Sequence, residues 1–268
     1  MNKIILSLVV VLLFTGCKNT EQQDAIVNNT IPSPASIQYA LLKVYPHDTS
    51  SYTQGLFFHN NNLYEGTGWN GQSKLMIVDI NTGKSIKKVE LPYEFFGEGI
   101  TLLNNKIYQL TWQDHKVIVY DASTFNKITE LEWPYEGWGL TNNGKQLIIS
   151  TGGSNLYFVN PATMKIERTL GVSDNNGYID SINELEFVNG SIYANKYMTD
   201  FILKINPETG IIEGKADLSN LMKESGSSYD PRTIDAGFVL NGIAFNSANQ
   251  HFFITGKRWP FLAEITFK

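Results

Sequence analysis

The sequence predicts an all-β protein, a five-bladed β-propeller that is closed by an N-terminal strand. Three observations predict it: a turn motif that recurs about every 43 residues, a strand-like start that recurs in step with the turns, and a length that five blades fill. The 22 glycines, 13 tyrosines and 15 phenylalanines among 268 residues are typical of strands and turns. A net charge of −5 without a basic cluster excludes nucleic acid as a partner.

The N-terminal segment, residues 1–16, predicts a bacterial lipoprotein signal peptide. Its apolar run at 4–14 is eleven residues long, whereas a membrane-spanning helix needs roughly 20. The run ends in FTGC (14–17), which is similar to a lipobox, where the cysteine becomes the first mature residue and carries lipid. We therefore expect a lipid on Cys17 to anchor the protein in the bacterial cell envelope, on the periplasmic or the outer surface. An ordinary signal peptide with an incidental cysteine is the alternative.

The next segment, residues 17–37, is polar, contains two prolines and has no apolar period, which predicts a flexible tether. Residues 38–268 then form the predicted propeller domain. Because Cys17 is the only cysteine, this domain cannot contain a disulfide.

The repeat is defined by four turns in which Asp or Asn is followed three residues later by Thr. They lie at 79–82, 121–124, 160–163 and 206–209, with spacings of 42, 39 and 46 residues. Each turn separates two β-rich runs, and an Asx side chain can bond its own backbone there. We therefore expect a hairpin turn at each position.

A second recurring pattern marks the start of each unit, where a small or acidic residue precedes an apolar run. The five starts are at Gly55, Gly99, Gly139, Glu184 and Gly242. The fifth unit ends at its third strand, so we expect the unassigned strand at 39–45 to complete it and remove an exposed edge. The 231 residues of 38–268 give about 46 per blade, within the usual range. Residues 222–238 are predicted to be a loop over one face.

Metal and nucleophile chemistry have little support in the sequence. The four histidines are isolated, so a catalytic zinc site is not expected. There is no G-x-S-x-G motif and no usable cysteine. A structural calcium ion on the propeller axis stays open, because carboxylates and carbonyls suffice for it.

The residues that stand out surround the predicted axial mouth, where loops enter the first strands and second strands end. The loops supply Tyr52, Gln54, Phe96, Glu98, Trp138, Asn183 and Asn241, and the second-strand ends supply Trp112, Tyr197 and Lys257. Glu98 lies between two glycines beside Phe96, which favours a functional carboxylate over a solvated one. Trp69 and Trp133 are instead predicted to pack between blades.

At these residues the sequence resembles the plant and bacterial type of glutaminyl-peptide cyclotransferase, from about residue 45 to the C-terminus. The motifs are YPHD (45–48), YTQGL (52–56), FGEG (96–99), QLTW (109–112), GWGL (137–140), NELE (183–186), LNGIA (240–244), TGK (255–257) and WP (259–260). Several such motifs in the same order are a specific signal. The resemblance implies a five-bladed propeller that cyclises an N-terminal glutamine of a peptide or protein to pyroglutamate and releases ammonia.

The resemblance also implies roles for individual residues. Glu98 would be the acid/base carboxylate, and Lys257 would stabilise charge on the carbonyl oxygen. The substrate would be held by Tyr52, Gln54 through its backbone, Phe96, Trp112, Trp138, Asn183 and Tyr197. The enzyme would be a metal-independent acyltransferase that needs no cofactor, and we expect a monomer.

Two departures from the family pattern concern the pocket. Tyr52 stands where Phe is usual, and Tyr197 stands where Trp is typical, so each ring gains a hydroxyl. Two other functions stay open on the residues alone. One is a calcium-dependent, lactonase-like propeller hydrolase, against which a lysine at the mouth argues. The other is a non-catalytic binding propeller displayed on the cell surface.

Overall fold

A computed structural model describes residues 31–227 and 237–268. The predicted signal peptide, Cys17 and most of the predicted tether lie outside these ranges. The described residues form 23 β-strands and one short helix. Within the same ranges, no helix has the length and apolarity that crossing a bilayer requires.

Five four-stranded antiparallel units make up the blades, which confirms the predicted fold. Blade 1 contains β3 (Thr53–His59), β4 (Asn62–Thr67), β5 (Lys74–Asp79) and β6 (Lys84–Glu90). Blade 2 contains β7 (Gly97–Leu103), β8 (Lys106–Thr111), β9 (Lys116–Asp121) and β10 (Lys127–Glu132). Blade 3 contains β11 (Leu140–Asn142), β12 (Leu147–Ser150), β13 (Asn155–Val159) and β14 (Ile166–Gly171). Blade 4 contains β17 (Ile182–Val188), β18 (Ser191–Lys196), β19 (Phe201–Ile205) and β20 (Ile212–Asp217).

Blade 5 joins the two ends of the propeller. It contains β21 (Leu240–Asn246), β22 (His251–Gly256), β23 (Phe261–Phe267) and the N-terminal strand β2 (Tyr39–Pro46). Strand β2 pairs antiparallel with β23, from Tyr39 opposite Phe267 to Pro46 opposite Phe261. The N-terminal strand therefore supplies the missing fourth strand, as predicted, and the ring has no open blade.

Three small elements lie outside the simple four-stranded pattern. The last three residues of the predicted tether form β1 (Ala35–Ile37), which pairs parallel with β20. The β-structure therefore begins three residues before the predicted start of the propeller domain at residue 38. Strands β15 (Ser173–Asp174) and β16 (Gly177–Tyr178) form a hairpin between blades 3 and 4. Helix α1 (Leu221–Glu224) begins where a loop was predicted, and residues 228–236 of that segment lie outside the described ranges.

The core is divided into five apolar clusters, one between each pair of neighbouring blades. Trp133 illustrates the packing, because it is 1% exposed in the cluster between blades 2 and 3. Its predicted place between blades is confirmed. The outer strands β6 and β10 are largely exposed. The buried side chains that hold the ring together therefore lie on the blade faces, between neighbouring blades.

The first strands of the blades contact one another in a closed ring around the axis. Glycine is required where they approach most closely: a Cβ on Gly139 would lie 1.9 Å from the carbonyl oxygen of Asn183. Where blade 4 has Glu184 instead of glycine, the side chain spans the axis. Its Oε1 accepts from Leu56 N at 3.1 Å and its Oε2 from Ile243 N at 2.8 Å. The recurrent starts in the sequence therefore mark these axial contacts.

The four Asx turns join the third and fourth strands of blades 1 to 4, as predicted. In blade 2, Asp121 Oδ1 accepts from the backbone N–H groups of Ser123 and Thr124 at 3.1 and 2.8 Å. The Thr124 hydroxyl donates to the same oxygen at 2.9 Å. Local bonds of this kind help to fix the hairpins, and Phe125 and Met164, which follow the threonines of two turns, also anchor them in the core.

Candidate active site

The site residues are displayed by irregularities at the start of the first strands. Pairing between first and second strands shifts register at Thr53/Gly55, Gly97/Ile100, Ile182/Leu185 and Leu240/Ile243. The residues at these shifts include Gln54, Glu98, Asn183 and Asn241. A bulge re-aims a side chain that would otherwise alternate along the strand, which is a common device beside functional sites. Four blades thus direct a polar side chain to one end of the axis.

Three of these side chains, Gln54, Glu98 and Asn183, meet in a cavity of about 560 Å³, whereas Asn241 is buried beneath it and bonds to Gln54 Oε1 at 3.4 Å. The cavity is lined by Tyr52, Gln54, Trp69, Asn70, Phe96, Glu98, Trp112, Trp138, Asn183, Tyr197 and Lys257. All nine residues that the sequence selected as catalytic or substrate-binding therefore line one cavity. Their convergence follows from the fold, because blade entries and second-strand ends open at the same mouth.

A hydrogen-bonded chain of three buried side chains forms the floor of the cavity. Lys257 Nζ donates to Gln54 Oε1 at 2.6 Å, and Gln54 Nε2 donates to Glu98 Oε1 at 3.1 Å. Lys257, Gln54 and Glu98 are 3%, 2% and 6% exposed. The sequence assigned only the backbone of Gln54 to the site, whereas its side-chain amide joins the predicted acid/base carboxyl to the predicted cation.

Burial shifts both ionisable groups of this chain toward their neutral forms. It raises the pKa of Glu98 well above its usual value, a shift that the charge of Lys257 opposes and that of Glu136 reinforces. Burial also lowers the pKa of Lys257 to about 8, against the opposing effect of Glu98. A carboxyl whose acid form is favoured by burial, next to an amine with a lowered pKa, is suited to proton transfer.

The aromatic side chains form the walls above this floor. Tyr52 makes edge contacts with Trp69 and Phe96, at ring-centroid distances of 5.2 and 6.2 Å. Phe96 continues the row to Trp112 at 5.6 Å. Such a wall holds an aliphatic chain by apolar contact while the polar floor faces its functional groups.

The second departure from the family pattern, Tyr197, lies beside Trp138 on the cavity wall. Trp138 and Tyr197 pack edge to face, with ring centroids 5.5 Å apart. The Lys257 ammonium lies 4.6 Å from the ring centroid of Tyr52 and 5.3 Å from that of Tyr197. Both departures therefore keep a π-face beside the lysine. The hydroxyl of Tyr52 donates to the Gly237 carbonyl at 3.4 Å.

Asn183 lines the cavity, and its amide oxygen is buried. The residue is 2% exposed, and its Oδ1 has no hydrogen-bond partner among the described residues. Its backbone carbonyl is held by the Ser150 hydroxyl at 2.7 Å. A fixed amide oxygen of this kind suits an N–H group of a bound ligand.

Trp69 is a cavity residue that the sequence analysis assigned wrongly. It is 41% exposed, with φ of 93°, and stands on the cavity wall instead of packing between blades. Its position gave a usable signal, because it follows the end of β4 as Trp112 follows β8 and Lys257 follows β22. The neighbouring Asn70, which also lines the cavity, was missed as well.

Sequence reasoning also missed Glu136. Its Oε2 accepts from the indole Nε1 groups of both Trp112 and Trp138, at 2.9 and 3.1 Å. It does not line the cavity, and it lies beside the GWGL motif instead of within it.

Comparison with known proteins agrees with this geometry. The family model for glutamine cyclotransferase matches residues 8–267. The chain belongs to the glutamine cyclotransferase family. A glutaminyl-peptide cyclotransferase of Arabidopsis thaliana is 38% identical over 226 residues, which cover 84% of this chain and 69% of the relative. The crystal structure of Myxococcus xanthus glutaminyl cyclase superposes with a TM-score of 0.80 at 31% identity, covering 88% of this chain and 98% of that one.

Membership of the glutamine cyclotransferase family confirms the resemblance seen in the motifs. In the part of the chain that the structure describes, no group of three or more His, Cys, Asp or Glu side chains is placed to hold a metal ion.

Proposed function

We propose that this cavity is the active site at which the enzyme cyclises an N-terminal glutamine of a peptide or protein to pyroglutamate. The enzyme is a glutaminyl-peptide cyclotransferase, as its family and its relatives indicate. The observation that carries the assignment of the site is the buried Lys257–Gln54–Glu98 chain beneath aromatic walls. The proximity of a buried carboxyl and a buried amine in this chain supports a proton-transfer role for Glu98 and a charge-stabilising role for Lys257.

The reaction is an intramolecular acyl transfer. The free α-amine of the substrate attacks the amide carbon of its own side chain, a C–N bond forms, and the carbonyl oxygen gains negative charge. The attacking nitrogen then loses a proton, the leaving nitrogen gains one, and the original C–N bond breaks to release ammonia. No oxidant, reductant or second substrate is needed.

Glu98 carries the proton between the two nitrogens. As a carboxylate it accepts from the attacking amine, and as a carboxylic acid it donates to the leaving group. Burial raises the pKa of Glu98 well above its usual value, which favours the acid form that must donate to the leaving nitrogen.

Lys257 and Asn183 stabilise and orient the reacting groups. The Lys257 ammonium stabilises the developing oxyanion in a site from which water is excluded, and the Asn183 side-chain oxygen accepts from a substrate N–H. Trp112, Trp138 and Tyr197 restrict the side chain to the folded conformers from which a five-membered ring closes. Tyr52 and Phe96 complete the apolar wall around it.

The experiment that tests this function is an ammonia assay with the purified protein and a Gln-initiated peptide. We expect stoichiometric ammonia and pyroglutamyl peptide, and no product from the same peptide with an acetylated N-terminus, which lacks the attacking amine. Release of ammonia from the blocked peptide would indicate amide hydrolysis and contradict cyclisation.

We propose further that the reaction needs no metal. The proposed roles use only a carboxyl, an amine and amide groups. On the axis, both carboxyl oxygens of Glu184 accept backbone N–H bonds, an arrangement suited to a hydrogen-bonded strut instead of a calcium ligand. Activity should survive EDTA, and its loss with recovery on adding Ca²⁺ would restore the metal-dependent alternative.

We also propose that the enzyme acts as a monomer anchored in the cell envelope by lipid on Cys17. The support is the signal-like segment at 1–16 with FTGC at its end. Full-length protein expressed in bacteria should fractionate with membranes, and Cys17→Ser should release it. Membrane association that is unchanged in this variant would contradict the lipid anchor, and detergent-solubilised protein sedimenting as a dimer would contradict the monomer.

A further inference from the structure

Glu136 joins two tryptophans of the cavity wall that come from neighbouring blades. One oxygen, Oε2, accepts from Trp112 Nε1 at 2.9 Å and from Trp138 Nε1 at 3.1 Å. The other oxygen, Oε1, accepts from Gln113 Nε2 at 3.0 Å. Trp112 follows the second strand of blade 2, and Trp138 precedes the first strand of blade 3, so a single carboxylate bridges two blades.

The backbone around Glu136 is also fixed. Its carbonyl accepts from the indole of Trp133 at 3.3 Å, and Trp133 is buried in the core. The next residue, Gly137, donates its N–H toward the carbonyls of Thr111 and Trp112, both at 3.1 Å. Glu136 is therefore fixed at its backbone by the core and at its carboxylate by the two indoles.

We propose that Glu136 is a positioning residue, whose carboxylate sets the orientation of the Trp112 and Trp138 indoles and thereby the shape of the substrate pocket. This inference rests on the proposed function of the cavity. Trp112 is 37% exposed, so packing alone leaves its ring free to turn. A charge-assisted hydrogen bond to each indole removes that freedom.

The charge of Glu136 agrees with this role. Hydrogen bonds from Gln113, Trp138 and Trp112 outweigh the effect of burial and hold its pKa below its usual value. Glu136 thus remains a carboxylate, an acceptor at both oxygens, at the pH of about 8 where Lys257 changes protonation. The pocket walls should therefore keep one geometry while the floor changes protonation.

Two substitutions separate the hydrogen bonds from the charge. Glu136→Ala removes both, and we expect kcat/KM to fall about 10- to 100-fold because the walls no longer hold the substrate in a reactive geometry. Glu136→Gln keeps an amide oxygen that can accept both indole bonds, and Gln113 can turn its own amide to match. We expect this variant to stay within about threefold of wild type.

The matched control is Glu167→Ala on the outer strand β14. Glu167 likewise joins two side chains, accepting from Gln146 at 2.6 Å and Asn160 at 3.1 Å, but it lies away from the cavity. Its loss should leave kcat/KM unchanged. Melting temperatures of all three variants will show the folded fraction at the assay temperature.

A second readout does not depend on turnover. The protein has five tryptophans, so ¹⁵N-tryptophan labelling gives five indole N–H signals to assign. In Glu136→Ala the signals of Trp112 and Trp138 should shift and exchange faster with solvent, while those in Glu136→Gln stay close to wild type. Unshifted signals in Glu136→Ala would overturn the proposal, even if the wild type proves inactive on glutaminyl peptides.

The kinetic outcomes are equally decisive. Wild-type kcat/KM in a folded Glu136→Ala protein would overturn the proposal, and so would a Glu136→Gln protein as slow as Glu136→Ala. A wild type that releases no ammonia would contradict the function of the cavity, which is a different failure from that of the indole link.

Discussion

At the scale of single residues, the proposed mechanism depends on Lys257 keeping its proton although the side chain is buried. Burial lowers the pKa of this amine to about 8, while Glu98 and the π-faces of Tyr52 and Tyr197 favour the charged form. The substrate's α-amine titrates at about 7.7–8.0 and must be neutral to attack. The two ionisations therefore act in opposite directions on the rate.

The pH profile of kcat/KM should accordingly be bell-shaped. It should rise as the substrate amine loses its proton and fall as pH increases through about 8, where Lys257 loses its own. Lys257→Arg keeps its charge at all these pH values, so its profile should lack the alkaline fall. The measurement is kcat/KM from pH 6 to pH 10 for both proteins, and an alkaline fall at the same pH in Lys257→Arg would contradict the assignment.

Removing the charge separates its effect from the shape of the site. Lys257→Met keeps a long apolar side chain but cannot stabilise an oxyanion, so we expect kcat to fall by about 100-fold or more. Initial rates of ammonia release at saturating substrate measure this. A kcat within twofold of wild type would show that the ammonium has no part in the reaction.

The residue types of the site could be predicted from the sequence, but several of their contacts could not. Glu98 and Lys257 stand in recognisable motifs. The Gln54 side chain links Glu98 to Lys257 only because bulges in blades 1 and 2 turn Gln54 and Glu98 toward the axis. The contacts of Glu136 were harder still to predict from the sequence, because its partners lie in different blades and its role depends on hydrogen-bond geometry.

At the scale of the strands, the axial ring depends on backbone close approach. Gly139 faces the carbonyl of Asn183, a residue proposed to bind substrate, across the contact of blades 3 and 4. Any Cβ at this position must displace one of the two strands, because the obstacle is backbone and cannot rotate away. The glycine is thus required both for stability and for the place of Asn183.

Gly139→Ala should be strongly destabilising, by about 3 kcal/mol or more in the free energy of unfolding, as overpacking in a rigid core predicts. Urea denaturation measures this. Gly153→Ala in the same blade is the matched control, since a Cβ there meets nothing within 4 Å. Equal midpoints for the two variants would show that the ring is more deformable than its geometry indicates.

Strand order was more predictable than strand boundaries. The Asx turns, the recurrent starts and the unassigned strand at 39–45 together specify four strands per blade and the N-terminal closure. The pairing of β1 with β20 was not predictable, because its three residues, Ala35, Ser36 and Ile37, contain a single large apolar side chain. The extra hairpin of β15 and β16 is likewise too short to leave a pattern.

At the scale of the whole molecule, the propeller is joined across its axis by buried carboxyl groups. Glu184 bonds to blades 1 and 5, and Glu186 Oε1 accepts from Phe245 N of blade 5 at 3.0 Å. Burial raises the pKa of Glu184 well above its usual value and that of Glu186 to about 8. The folded protein therefore binds protons that the unfolded chain releases near pH 4.5.

The contribution of these two carboxyl groups to the free energy of unfolding should consequently decrease as pH rises. For Glu186 the contribution is fully present below about pH 4.5, the value of the unfolded chain, and is lost as pH rises through about 8. Glu186→Gln mimics the protonated form at every pH, so its melting temperature should fall less than that of wild type between pH 5 and pH 9. Parallel curves for the two proteins would contradict a protonated Glu186 in the fold.

The central claim is that one buried carboxyl, Glu98, moves the proton during glutamine cyclisation. The most direct test is the rate of ammonia release from a Gln-initiated peptide by Glu98→Gln, which keeps the shape of the site and can still bond to Gln54. We expect an unchanged circular dichroism spectrum and a loss of at least about 100-fold in kcat, the scale of general acid–base catalysis. A folded Glu98→Gln protein with wild-type turnover would contradict the claim.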